Sequence, residues 1–372
     1  MNYVSAWFQR YFSDPQAMLL VVLLTLGFGV VLTMGDMLGP VLTALVVAYL
    51  LEGIIRIMER RGSPRFRVVL LVFTGFLAFL AFLLFGLTPL LWAQTVELAR
   101  ELPNYIQQGQ DAPMRLPQHY SFISQEQVTE VMQALRGELL QMGQRILSIS
   151  LSSIPGVITL VVYLVLVPLL VFFFLKDKAV LIRWVTSLLP QERSLAEAVW
   201  DEVDQQIGNY IRGKFWEVLI VGVSTFIVFA FMGLKYGMLL AALVGLSVIV
   251  PYIGAAVVTL PVAAIAYFQW GWSSEFAWLM IAYGVVQALD GNVLVPLLFS
   301  EVVNLHPVAI IVAVLVFGGL WGLWGVFFAI PLATLVNALI SAWPRSTPPV
   351  TGAGRAPPSE EAARRPTAEH EA

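Results

Sequence analysis

One carboxylate stands in a stretch otherwise suited to lipid. Asp290 lies in Val285–Val286–Gln287–Ala288–Leu289–Asp290–Gly291–Asn292–Val293–Leu294–Val295–Pro296, inside a long apolar run. A charge at the centre of a membrane helix costs about 2.5–3.5 kcal/mol on insertion scales, so the group needs a partner, a proton or water. Gln287, Asn292 and Asn337 are polar candidates for lining the same space, with His306 and Lys235 as candidate charge partners. Gly291 and Pro296 point to an irregular helix here, which frees backbone carbonyls for ligation. Such a site can pass a proton, an ion or a small polar solute; the alternative is a carboxylate that only ties helices together. Glu52 is the other acid in an apolar run. Arg56 follows four residues later on the same face, a spacing that suits a local ion pair. Lys176–Asp177–Lys178 reads as the end of one span, and Gly213–Lys214 with Glu217 as the start of the next.

The elements holding these residues must be membrane helices. Hydrophobic residues make up 59% of the chain and charged residues 12%, half the usual charged share of a soluble protein. The charges cluster between apolar stretches close to the roughly 20 residues that cross a bilayer. The fold class expected is therefore an all-α integral membrane protein. The spans read as 16–34, 38–57, 68–92, 153–175, 216–232, 238–268, 276–299 and 307–343, about eight in all. Met18 to Met34 is longer than a signal-peptide core and lacks a small-x-small cleavage site, so it reads as an uncleaved first span. Arg56, Arg60, Arg61, Arg65 and Arg67 follow the second span, Lys176, Lys178 and Arg183 the fourth, and Arg345, Arg355, Arg364 and Arg365 lie in the tail. All are cytoplasmic if both termini are cytoplasmic.

Two segments are too long for one crossing. Residues 238–268 and 307–343 each exceed 30, and each is interrupted: by Pro251, Tyr252 and Gly254 in one, by Gly318, Gly319, Gly322 and Gly325 in the other. Each then resumes with a proline, Pro261 or Pro331. Either each is a kinked crossing helix or each is a hairpin that returns to its own side, and charge parity does not decide. Paired interrupted segments are a pointer to a transport site; the alternative is that the glycines only allow close helix packing.

The organisation read from this pattern has six parts: three N-terminal spans (1–93), an extracytoplasmic amphipathic segment (94–152), a fourth span (153–175), a cytoplasmic amphipathic helix (176–214), a C-terminal bundle (215–343) and a disordered cytoplasmic tail (344–372). In the second part Pro113 and Pro117 mark a break, and Ser124 with Gln127 resembles a capping box. Val128, Met132, Leu135, Leu139, Met142, Ile146 and Ile149 then follow the coiled-coil period, suited to packing on the third span or on another subunit. In the fourth part Leu195, Val199, Val203, Ile207 and Ile211 repeat every four residues beside Asp201, Glu202 and Asp204.

No enzyme is expected: the sequence has no histidine–carboxylate pair on one face, no phosphate loop and no serine nucleophile elbow. The lack of a Walker loop also argues against ATP-driven transport within the chain. With no cysteine and three scattered histidines (His119, His306, His370), no metal site or cofactor is expected. A net charge of −3 gives no reason to expect nucleic acid as a partner.

Several motifs resemble one family, the autoinducer-2 exporter (AI-2E) family. They are Phe174–Leu175–Lys176–Asp177, Tyr210–Ile211–Arg212–Gly213, Val250–Pro251–Tyr252–Ile253–Gly254, Asn292–Val293–Leu294–Val295–Pro296, Leu305–His306–Pro307, and Phe317–Gly318–Gly319 through Gly322 and Gly325 to Ile330–Pro331–Leu332. Gln287–Ala288–Leu289–Asp290–Gly291–Asn292 is most similar to the family's PerM branch. The resemblance covers nearly all of the chain except the tail. It implies a permease of the bacterial cytoplasmic (inner) membrane, a homo-oligomer, and export of an autoinducer-2-like or other small solute, or Na+/H+ exchange. The expectation is a secondary transporter with the lipid bilayer and a small solute or ion as partners; a passive pore and an oligomeric scaffold without transport are the alternatives.

Overall fold

The computed structural model describes residues 15–109, 125–152, 154–187, 194–299 and 306–342. The expected break at Pro113 and Pro117, Ser124 of the capping box, and the tail from 344 onward lie outside them.

All elements among the described residues are helical. They are α1 (Pro15–Glu59), α2 (Arg65–Phe82), α3 (Thr88–Gly109), α4 (Gln125–Ser152), α5 (Ile154–Lys176), α6 (Lys178–Ser187), α7 (Ser194–Met232), α8 (Gly237–Ser247), α9 (Ile253–Trp270), α10 (Ser274–Leu289), α11 (Val295–Phe299) and α12 (Pro307–Ala342). Single π-helical turns join α2 to α3 at Leu83–Leu87 and α10 to α11 at Asp290–Leu294. Helices close every backbone hydrogen bond within the segment, the condition lipid imposes. Seven stretches among the described residues are long and apolar enough to cross a membrane. Large apolar side chains such as Phe85, Phe231 and Leu297 face outward, 83%, 89% and 73% exposed, as expected where lipid is the solvent.

The first two expected spans form one helix. α1 runs unbroken for 45 residues, about 67 Å at 1.5 Å per residue. Pro40 lies inside it, but an interior proline removes one hydrogen bond and bends a helix without having to reverse it. Pro15 therefore lies far from Glu59, and the chain does not double back between 34 and 38. The boundary expected at 214–215 is likewise no break, because α7 continues through it.

Two clusters hold the bundle. Ala44, Ala48, Leu51 and Ile55 of α1 pack with Val68, Val69 and Val72 of α2 and Val167, Val171 and Leu175 of α5. Val221 and Phe229 of α7 pack with α8, α9 and α10 through Leu240, Val244, Val262 and Leu279. α7 and α8 approach closely at two glycines: a Cβ on Gly245 would sit 2.9 Å from Gly222 Cα. α4 packs on α3, where Gly143 faces the Ala99 carbonyl; of its periodic stripe, Leu139 is half-buried and Met142 exposed.

Both long interrupted segments are hairpins. After α8 the chain turns through Val248–Tyr252, and α9 runs back until the Gln269 side chain bonds Lys235 N and Gly233 O, both at 2.8 Å. The turn is tight: a Cβ on Gly254 would overlap the Ser247 carbonyl. α12 reverses at Gly322, where φ is +58° and ψ −131°, a combination open to glycine and costly for other residues. Ala313 and Val314 consequently pack against Ala329, which a straight helix would hold more than 20 Å away. So Pro307–Asn337 has the length of a crossing but is folded in two. The α8/α9 hairpin has its base at the Ser274 end of α10, and the α12 hairpin follows Phe299 at the other end. The two point toward each other and touch where Val250 packs on the cluster of Ala313, Val314 and Ala329.

Candidate functional site

Where the hairpins meet α7, a cavity of about 520 Å3 opens. Its polar lining comes from Lys214 and Glu217 on α7, Gln287 on α10 and Asp290 on the π turn, with Pro251, Tyr252 and Pro296 beside them.

Lys214 and Glu217 are both buried, and their side chains meet at 2.7 Å. The same ammonium donates to the Val248 carbonyl at 2.7 Å and lies 5.3 Å above the Phe299 ring. A buried lysine needs this many partners to keep its charge. Lys214 thus ties α7 to the tip of the α8/α9 hairpin and to α11. Gly213 makes room for the Phe299 ring, which a Cβ would meet at 2.7 Å.

Asp290 is differently placed. It acts electrostatically with Lys214 and Glu217, but its Oδ1 is buried with no hydrogen-bond partner, as is the Gln287 amide nitrogen. One ammonium thus faces two carboxylates, and an unpaired acceptor and an unpaired donor border the same cavity. Leaving both empty costs roughly 1–3 kcal/mol per group. A cation or a proton entering here would find the carboxylate, and a hydroxyl-bearing solute, which both donates and accepts, would find both. The π turn adds to this: Val295 N bonds back five residues to the Asp290 carbonyl, not four, and single π turns concentrate at functional sites. Tyr252 sits at the hairpin tip with φ +61°, a strained conformation for a bulky residue that also tends to mark such sites.

The expected path residues divide. Asp290, Gln287 and Pro296 line the cavity. Asn292 does not: its amide donates to the Ala288 carbonyl at 2.8 Å and the residue is exposed. Asn337 is exposed on α12, and His306 is exposed at the start of α12, where Nδ1 accepts from Val308 N at 3.3 Å. Lys235 is exposed near the base of the first hairpin. The charge facing Asp290 is Lys214, not His306 or Lys235. Nor does Glu52 pair with Arg56; its carboxylate takes Arg65 at 3.3 Å and Lys178 at 3.0 Å, bringing the first two basic clusters to one place. Among the described residues no group of three metal-ligating side chains occurs.

The family model described as AI-2E family transporter matches residues 1–345. The chain belongs to the AI-2E transporter family. It is 48% identical over 342 residues to a candidate permease of Escherichia coli (strain K12), PerM, covering 91% of this chain and 96% of that protein. It is also similar to two candidate transport proteins of Bacillus subtilis (strain 168). The match to YueF is 28% identical, covering 80% of this chain and 82% of that protein; the match to YrrI is 26% identical, covering 81% and 85%.

Several of the AI-2E motif positions acquire physical roles here. Pro251, Tyr252 and Gly254 form one hairpin tip, and Gly318, Gly319, Gly322 and Gly325 the other, where a Cβ on Gly325 would overlap the Phe317 carbonyl. Pro307 opens α12, the first-turn position where its missing N–H costs nothing. Pro331 lacks the N–H that the Phe327 carbonyl would otherwise receive, and the Tyr210 hydroxyl donates to that carbonyl instead, at 2.8 Å. Two AI-2E motifs more than a hundred residues apart are thus one contact.

Proposed function

We propose that this membrane transport protein is a secondary transporter of the bacterial inner membrane. Its path for a small solute or ion runs through the cavity at Asp290, with H+ or Na+ as the coupling ion. The observation carrying this reading is the pair of unsatisfied groups, Asp290 Oδ1 and Gln287 Nε2, beside a lysine whose charge is already committed. Broken segments around a polar site inside the membrane are the arrangement alternating-access carriers use, and the two opposed hairpins supply surfaces able to rock against α7. Export of an autoinducer-2-like solute and Na+/H+ exchange both fit a cavity of this size and polarity.

The chain has no cysteine, so one can be placed at Ala255 in the cavity wall and labelled with membrane-impermeant thiol reagents. The reading expects labelling from either side, with the favoured side shifting when a proton or sodium gradient is reversed. Labelling from one side under every gradient would overturn it.

A further inference from the structure

A second, larger cavity of about 1160 Å3 lies between α1, α2, α5 and α7. Most of its wall is hydrocarbon: Leu71, Gly75, Phe79 and Leu83 on one side, Leu160 and Leu164 on another. Leu71 and Leu83 are twelve positions apart, about 18 Å along a helix, slightly more than one leaflet of roughly 15 Å. At one end the wall becomes basic, with Arg56, Lys178 and Arg212.

The charges at that end do not balance. Glu52 is occupied by Arg65 and Lys178. Asp204 accepts from the Tyr49 hydroxyl and acts on Arg212 from beyond ion-pair distance. Lys214, which also reaches this wall, is held by Glu217. Arg56 and Arg212 remain: they act on each other electrostatically, and among the described residues neither has a carboxylate within ion-pair distance. Arg212 is also positioned. Its side chain lies across Gly53 and Gly208, where a Cβ on either would come within 3.2 Å, and Nη2 donates to Asn209 Oδ1 at 2.8 Å. Arg56 follows Gly53 by one turn on α1, so the two guanidiniums border one opening.

We propose that this groove binds one anionic phospholipid, its phosphate between Arg56 and Arg212 and an acyl chain along α2 and α5. Guanidinium forks match phosphate oxygens bidentately and are weakly hydrated, and basic pockets between membrane helices take anionic head groups. The apolar wall begins beside the two arginines, as a head group attached to a chain requires.

The test uses the full chain, stripped of lipid in detergent and titrated separately with phosphatidylglycerol, phosphatidylcholine and inorganic phosphate. Lipid bound per protomer is read by native mass spectrometry. The expected result is one tightly held phosphatidylglycerol, preferred at least tenfold over phosphatidylcholine and not displaced by inorganic phosphate. Arg56→Gln with Arg212→Gln removes the preference. Gly75→Leu puts a side chain where nothing lies within 4 Å; it folds with an unchanged Tm in lipid-free detergent and loses both lipids. Equal retention of the two lipids by the wild type overturns the proposal, as does displacement by phosphate alone, which marks a free-anion site. Retention of lipid by Gly75→Leu overturns it too, and a smaller oligomer in that variant without lipid loss shows that a second copy fills the groove.

Discussion

Lys214 donates to Glu217 at 2.7 Å, one helical turn along α7, with only 6% and 3% of the two side chains exposed. The same ammonium holds the Val248 carbonyl of the hairpin tip at 2.7 Å. The pair is therefore a latch as well as a charge balance. Breaking it loosens the hairpin from α7 and changes the charge that Asp290 faces.

Lys214→Met should destabilise the folded protein by roughly 3–5 kcal/mol, because it strands Glu217 as a buried carboxylate. Adding Glu217→Gln to Lys214→Met should recover part of that loss. Thermal unfolding of both single variants and the double variant in one detergent checks this; additive losses would show that the two side chains act independently.

Tyr210→Phe removes the hydroxyl that donates to the Phe327 carbonyl left open by Pro331. The expected cost is about 1–3 kcal/mol for the orphaned carbonyl. Adding Pro331→Ala restores a backbone N–H within the helix and should reduce the loss, also read by thermal unfolding.

The Tyr210 contact shows what the sequence conveys and what it omits. The breaks at Pro251–Gly254 and at Gly318–Gly325 are legible because glycine and proline state a local backbone preference. That both segments fold back is not, since reversal depends on where Gln269 and Ala329 find partners. Gly35–Pro40 carries similar residues, yet α1 continues through them as one helix. Asp290 and Gln287 were legible as polar residues in an apolar run. Lys214 and Glu217 read in the sequence as the start of a span, because a charge pair at a span's start is common. Their three-residue spacing beside Gly213 was the available signal, while the partner that buries them, Val248, lies 34 residues away.

The fold-back of α12 at Gly322 predicts that both of its ends lie on one side of the membrane. Cysteines substituted at His306 and Ala342, in a chain with none of its own, should be labelled by an impermeant reagent from the same side in right-side-out vesicles. Labelling from opposite sides would restore a single kinked crossing.

Gln287→Leu should lower transport about tenfold. That corresponds to one hydrogen bond of roughly 1.4 kcal/mol to the transported species. Asn292→Leu, His306→Ala and Asn337→Ala should leave the rate within twofold, since none lines the cavity. Rates in proteoliposomes at matched protein density make the comparison.

The most direct test of the central claim is ion flux in proteoliposomes under imposed proton and sodium gradients, wild type against Asp290→Asn. Asp290→Asn keeps the size of the side chain and removes its charge. The account predicts that the wild type dissipates one of the gradients and that Asp290→Asn, still folded by size exclusion, does not. Equal dissipation by both proteins, or none by either, would contradict it and leave Asp290 as a tie between helices.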